Sequence, residues 1–155
     1  MLHSKKNCTA LSLFISLTIV LSLHSCGLLP SRELDFTSKD GVRFSNYDSA
    51  VLAKQARQEN KPMFVVTYAN YCSLCKKMEK DVFPDPAVGI LFNENFINAK
   101  VNVDSVAGKN LEAAYNMNST PTLLFIDVDG KLIKKITGFQ RKESLILLAK
   151  EVLKK

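Results

Sequence analysis

The sequence predicts an α/β domain: a central mixed β-sheet flanked by helices on both faces. Three observations carry that expectation. Met63–Ala69 is an unbroken apolar run rich in β-forming residues, the pattern of a strand covered on both sides. Thr122–Asp127 and Leu132–Thr137 are two further strand-like runs joined through Asp129-Gly130, a turn pair that favours an antiparallel hairpin. Segments with helical spacing of apolar residues alternate with these strands. At 155 residues, 46% hydrophobic and 23% charged, the chain holds about one ordinary domain.

In chain order, residues 1–25 read as an export signal. Lys5 and Lys6 give a positive start, and Ala10–Leu23 is an uncharged apolar run of signal length. It falls short of the roughly 20 apolar residues of a comfortable membrane span. Leu23-His24-Ser25-Cys26 resembles a bacterial lipobox, with a branched residue three before the cysteine and a small one just before it. His24 departs from the usual small or aliphatic residue. On this reading Cys26 becomes the first mature residue and carries lipid; the alternatives are a secretory signal cut near Ser25 or an uncleaved anchor. Residues 26–45 then form the lipid attachment site and a polar tether, and residues 46–155 form the folded domain.

Within that domain, Asp48–Glu59 reads as a helix, with Asn46, Asp48 or Ser49 to cap it, Leu52, Ala53 and Ala56 on one face, and Asn60-Lys61-Pro62 to end it. Met63–Ala69 follows as a strand. A helix from Cys72 to Val82 is interrupted near Pro84 and Pro86 and resumes to Asn95. Phe96–Asp104 alternates as a second strand through Ile97, Ala99, Val101 and Val103. A short helix covers Lys109–Tyr115, the hairpin comes next, and Lys142–Leu153 closes the chain as a helix with Leu145, Leu148, Ala149, Val152 and Leu153 at helical spacing.

Charge argues against nucleic acid as a partner. Without residues 1–25 the chain keeps 19 basic and 15 acidic residues, a net charge of +4, and no basic block. Processing also removes both histidines and Cys8. Of the three remaining cysteines, Cys26 is the lipid site, so Cys72 and Cys75 are the only free thiols, spaced C-x-x-C in an exported protein where disulfides form and exchange. With Cys72 just ahead of a helix and Cys75 in its first turn, the two sulfurs can close a small ring, and the unpaired amides at the helix start stabilise a thiolate at Cys72.

Other uses of the pair fit less well. A structural zinc site needs four ligands, and the mature chain has no histidine and no second C-x-x-C. Covalent haem needs histidine after the second cysteine, where Lys76 stands. A purely structural disulfide remains open, although so short a loop removes little entropy from the unfolded chain. No metal or other cofactor is called for.

The motif series Tyr71-Cys72-Ser73-Leu74-Cys75-Lys76-Lys77-Met78-Glu79, Val82-Phe83, Asp85-Pro86, Asn102-Val103-Asp104, Thr120-Pro121-Thr122 and Thr137-Gly138-Phe139 resembles the thioredoxin superfamily. Within it, the sequence is most similar to the C-terminal periplasmic domain of the thiol:disulfide interchange protein DsbD. The resemblance runs from about Asp48 to the C-terminus and implies the thioredoxin fold. It implies that Cys72 is the attacking thiolate and Cys75 the resolving thiol, joined as a disulfide when oxidised. It also implies that Pro121 is the cis-proline facing that disulfide, with Thr120 offering its backbone to an extended substrate.

Two departures stand out. Tyr71 occupies the place of a common tryptophan and keeps a flat surface for substrate beside the sulfur. Val66 replaces the buried aspartate that helps move the resolving thiol's proton. Glu79, four residues after Cys75, is the candidate replacement base; the alternative is a surface glutamate paired with a lysine.

The Ser73-Leu74 dipeptide gives the thiolate no histidine-like donor, which favours a reductant over an oxidant. The implied partners are disulfide-bonded or dithiol protein substrates, a membrane electron donor such as a DsbD-like carrier, and the membrane itself through lipid on Cys26. The implied location is the bacterial periplasm or cell envelope, at the inner or outer membrane. The rival reading is a non-catalytic scaffold, or a Cu(I) site formed by Cys72 and Cys75 with Met78 nearby.

Overall fold

Strand β2 (Met63–Tyr68) lies at the centre of a five-stranded sheet in the order β1-β3-β2-β4-β5. The computed structural model describes residues 41–154, so the export signal, Cys26 and residues 27–40 of the tether lie outside the described residues. The remaining strands are β1 (Ser45–Asn46), β3 (Ile97–Asn102), β4 (Thr122–Ile126) and β5 (Leu132–Thr137). The helices are α1 (Ser49–Glu59), α2 (Ser73–Asp81), α3 (Pro86–Asn95), α4 (Val106–Tyr115) and α5 (Lys142–Val152). β1 and β2 run parallel to β3, β4 runs antiparallel to β2, and β5 antiparallel to β4. This is the mixed sheet the sequence predicts.

Alternation along the strands sorts the core into two layers. Phe64 and Val66 of β2, with Leu123 and Phe125 of β4, face α2, α3 and α5, where they meet Met78, Val88, Phe92, Leu145 and Ala149. Met63, Val65, Ile97, Ala99, Val101, Leu124 and Ile126 face α1 and α4, against Leu52, Ala56 and Leu111. The first layer is aromatic at its centre: the Phe64 and Phe92 ring centroids are 4.5 Å apart and Phe64 and Phe125 5.0 Å. Fully burying each such ring contributes about 1.5–3 kcal/mol.

Helix boundaries follow local chemistry. Asp48 caps α1 by accepting the amides of Ala50 and Val51, each at 3.0 Å. Asp85 caps α3 in the same way, with Pro86 in the first turn where its missing N–H costs nothing. α1 and α4 end on Asn60 and Asn116, both in the left-handed conformation that asparagine tolerates.

Three differences from the sequence reading have physical causes. β1 is two polar residues on a sheet edge, too short to show a strand pattern; yet the Val42 amide bonds the Phe83 carbonyl at 2.7 Å, and Val42 and Phe44 pack on the core. Residues 42–45, assigned above to the tether, therefore belong to the folded unit. β3 stops at Asn102 because the Asn102 side chain accepts the Asp104 amide at 2.9 Å and turns the chain. α4 begins at Val106, capped by Ser105, three residues before the expected Lys109. Gly108 lies so close to the β3–α4 turn that a Cβ would collide with the Asn102 carbonyl and the Val103 Cα.

Candidate active site

The apolar run of β2 ends at Tyr68, and the chain turns through Ala69, Asn70 and Tyr71 into α2. The Cys72 amide donates to the Ala69 carbonyl at 3.0 Å, which fixes the turn. Cys72 then stands as the N-cap of α2, with extended backbone, and its sulfur accepts the Cys75 amide at 3.1 Å. The Cys72 and Cys75 sulfurs are bonded at 2.03 Å. Cys75 and Met78 turn inward on α2 while Ser73, Leu74, Lys76 and Lys77 face out. The pair sits as the spacing predicts, one sulfur at the helix start and one in its first turn.

The surroundings are apolar and drawn from three segments. Ala69, Cys72, Cys75 and Val103 form one small buried cluster, and the Val103 amide donates to the Tyr68 carbonyl at 2.9 Å. The turn after β3 thus packs against the cysteine pair. Tyr71 is 77% exposed beside this cluster, and Leu74 is 45% exposed. Both present apolar surface next to the cysteines in sequence. Lys109 on α4 has its pKa raised, chiefly by its hydrogen bond to Glu112 and in small part by Asp104 and by Tyr71.

The Thr120–Pro121 peptide is cis and immediately precedes β4. Thr122 is the register partner of Thr67 on β2, so Pro121 lies one step beyond the last pair, at the same end of the sheet as Cys72. Pro121 is buried and Thr120 half-buried. The Pro121 carbonyl accepts the Gly138 amide at 2.7 Å, which ties this segment to the turn after β5. Gly138 has φ of +92°, a backbone that favours glycine. Its role escaped sequence reasoning, although the Thr-Gly-Phe motif had marked the position.

Glu79 reaches Lys100 on β3. Its carboxylate is 2.7 Å from the Lys100 ammonium, the two side chains being 45% and 29% exposed, and the ammonium also lies 4.9 Å from the centre of the Phe44 ring. Lys100 is the register partner of Val66, which is buried in the aromatic layer. The lysine pairing weighed above as the alternative is therefore what the structure contains. Met78 is fully buried among Phe64, Phe92 and their neighbours in the aromatic layer. Among the described residues, no group of three or more His, Cys, Asp or Glu is arranged to hold a metal ion, and no helix is long and apolar enough to cross a membrane.

Comparison with known proteins agrees with this geometry. Residues 50–153 match the thioredoxin-like domain family. The chain is 33% identical over 115 residues to the thiol:disulfide interchange protein DsbD of Tatumella citrea, covering 71% of this chain and 20% of that protein. It is 30% identical over 101 residues to the DsbD of Pseudoalteromonas atlantica, covering 63% and 17%. The chain thus spans about a fifth of the length of these relatives. Among solved structures, a putative disulphide-isomerase from Bacteroides thetaiotaomicron superposes with a TM-score of 0.67 at 31% identity, over 74% of this chain and 94% of that one. The oxidised C-terminal domain of Neisseria meningitidis DsbD superposes with a TM-score of 0.59 at 19% identity, over 70% and 98%, and shares the fold. An apolar central strand running into a helix capped by a bonded Cys72–Cys75 pair is the arrangement of thiol–disulfide oxidoreductases, and the chain belongs to the thioredoxin-like domain family.

Proposed function

We propose that the chain is an extracytoplasmic reductase of protein disulfides, acting through Cys72 and Cys75 and tethered to the bacterial envelope by lipid on Cys26. One observation carries the reading: the Cys72 sulfur caps α2, accepts the Cys75 amide at 3.1 Å, and is bonded to Cys75. When the bond opens, the amide and the positive end of the helix favour a thiolate at Cys72.

The chemistry follows from exchange. The Cys72 thiolate attacks one sulfur of a substrate disulfide, the other leaves as a thiolate, and a mixed disulfide forms. Cys75, once deprotonated, attacks the Cys72 sulfur and expels the second substrate thiol. Two electrons pass from the protein to its substrate, and Cys72–Cys75 is left oxidised. Glu79 is the candidate acceptor of the Cys75 proton, after release from Lys100. Tyr71 and Thr120 contribute the docking surface, Tyr71 by its exposed ring and Thr120 by its main chain beside Pro121. A membrane electron donor of the DsbD kind restores the dithiol. Leu74 has no group that can donate to the thiolate, which supports the reductant direction.

The test is the reduction potential of the pair in protein lacking residues 1–26, equilibrated in graded thiol buffers with free thiols trapped by a mass label. A value below about −220 mV supports the reductase; one near −120 mV makes the protein an oxidant. A pair that fails to cycle, with no turnover of insulin disulfides, would leave a non-catalytic scaffold.

A further inference from the structure

We propose that Thr67 is a positioning residue, whose buried hydroxyl holds the Thr120–Pro121 segment, and with it the main-chain edge offered to a protein substrate, in register with Cys72. The inference rests on the docking role proposed for Thr120.

Thr67 is fully buried in the penultimate position of β2. By alternation it follows Met63 and Val65 on the face turned to α1 and α4, and its register partners are Val101 and Thr122. A valine would fill the same volume, and a buried hydroxyl is unfavourable unless it is hydrogen-bonded. It is bonded twice to one residue: its oxygen accepts the Thr122 amide at 2.9 Å and donates to the Thr122 carbonyl at 3.2 Å. Thr67–Thr122 is the last pair of the β2–β4 ladder. The hydroxyl thus secures the ladder where pairing ends and the docking segment begins.

Thr122 extends the brace. Its side chain, also buried, donates to the Ser119 carbonyl at 2.7 Å and closes the turn that contains Thr120 and Pro121. From the other side the Gly138 amide holds the Pro121 carbonyl at 2.7 Å. Cys72 lies five residues beyond Thr67 on the same run of chain, its amide fixed to Ala69. Nucleophile and docking edge are therefore both hung from the end of β2, one by the main chain and the other by the Thr67 hydroxyl. A substrate that pairs along Thr120 must present its disulfide to Cys72, so a shift of the edge penalises extended substrates and spares small ones.

The experiment compares wild type with Thr67→Val and Thr67→Ser in dithiothreitol-driven reduction of insulin and of bis(2-hydroxyethyl) disulfide. Thr67→Val is expected to raise KM for insulin about tenfold while the rate on the small disulfide stays within about twofold; Thr67→Ser restores the insulin value. An unchanged insulin KM in Thr67→Val, or an equal loss on both substrates, overturns the proposal. If thermal melts show Thr67→Val to be unfolded, Thr122→Val, which removes the bond to Ser119, must give the same split between substrates or the brace is wrong. A disulfide peptide N-methylated beside its cysteine tests the underlying docking separately. Wild type that takes it as well as the unmethylated peptide refutes main-chain docking and the proposal with it. Discrimination by wild type that Thr67→Val fully retains refutes the brace alone.

Discussion

The Glu79 carboxylate on α2 and the Lys100 ammonium on β3 are 2.7 Å apart, and Lys100 is the direct neighbour of Val66 in the β2–β3 register. An acidic group is thus delivered to this side of the sheet by the helix that carries the cysteines, while β2 itself contributes only an apolar side chain. Glu79 lies one helical turn after Cys75 on α2.

Glu79→Gln is expected to slow resolution of the Cys72 mixed disulfide by about a hundredfold at neutral pH, the lower end of the range for loss of a general base. Stability should change little, because a partly exposed ion pair is worth about 0–1 kcal/mol. Stopped-flow resolution of a preformed mixed disulfide checks the rate. Equal rates in the two proteins from about pH 6 to 9 would leave Glu79 as no more than the partner of Lys100.

Cys75→Ala should accumulate a covalent complex with a disulfide substrate, because Cys72 still attacks and nothing displaces the product. Cys72→Ala should accumulate none. Mass spectrometry of acid-quenched reactions reads both, and trapping by Cys72→Ala in place of Cys75→Ala would reverse the two roles. The proposed assignment rests on Cys72 standing at the cap and Cys75 inside the first turn.

The hairpin, the two-sided strand β2 and the redox pair were legible in the sequence because each is a local pattern: alternation, a turn dipeptide, a spacing. The elements that were missed are held by contacts distant in sequence. β1 exists because the sheet edge at β3 receives it, in a register that pairs Ser45 with Ala99. The early start of α4 depends on Gly108 fitting against Asn102 and Val103. Pairing of Glu79 with Lys100 and of Thr67 with Thr122 links residues 21 and 55 positions apart, which no local window contains.

Asp85 gives the fold a defined acid sensitivity. Its hydrogen bond from Lys142 holds the carboxyl below its usual range, with the Val88 and Ala87 amides adding to the effect and partial burial opposing it. A carboxyl depressed in the folded state contributes stability that is present above about pH 4 and is lost as pH falls through its folded value. Asp85→Asn keeps the α3 cap but not the charge, so wild type should be the more stable at pH 7 and the gap should close in acid. Asp85→Ala also loses the cap, at about 1 kcal/mol. Urea unfolding at both pH values measures this, and an equal gap at both would remove Asp85 from the account.

Gly138 and Gly130 separate backbone strain from function. Both have positive φ, +92° and +86°, and a Cβ on either meets nothing within 4 Å, so alanine at each is opposed by conformation alone. Each substitution should cost about 1 kcal/mol or somewhat more. In a domain of this size that lowers Tm by about 3–6 °C per kcal/mol. Their positions differ: Gly130 turns the β4–β5 hairpin, where its amide bonds Asp127 at 3.1 Å, whereas the Gly138 amide holds the Pro121 carbonyl at 2.7 Å. With similar losses in Tm, only Gly138→Ala should raise KM for insulin, because only that strain reaches the Thr120–Pro121 segment. Melting curves and insulin reduction measured on both variants decide it; a KM that rises equally in the two would mean that general destabilisation, and not the Gly138–Pro121 bond, governs substrate docking.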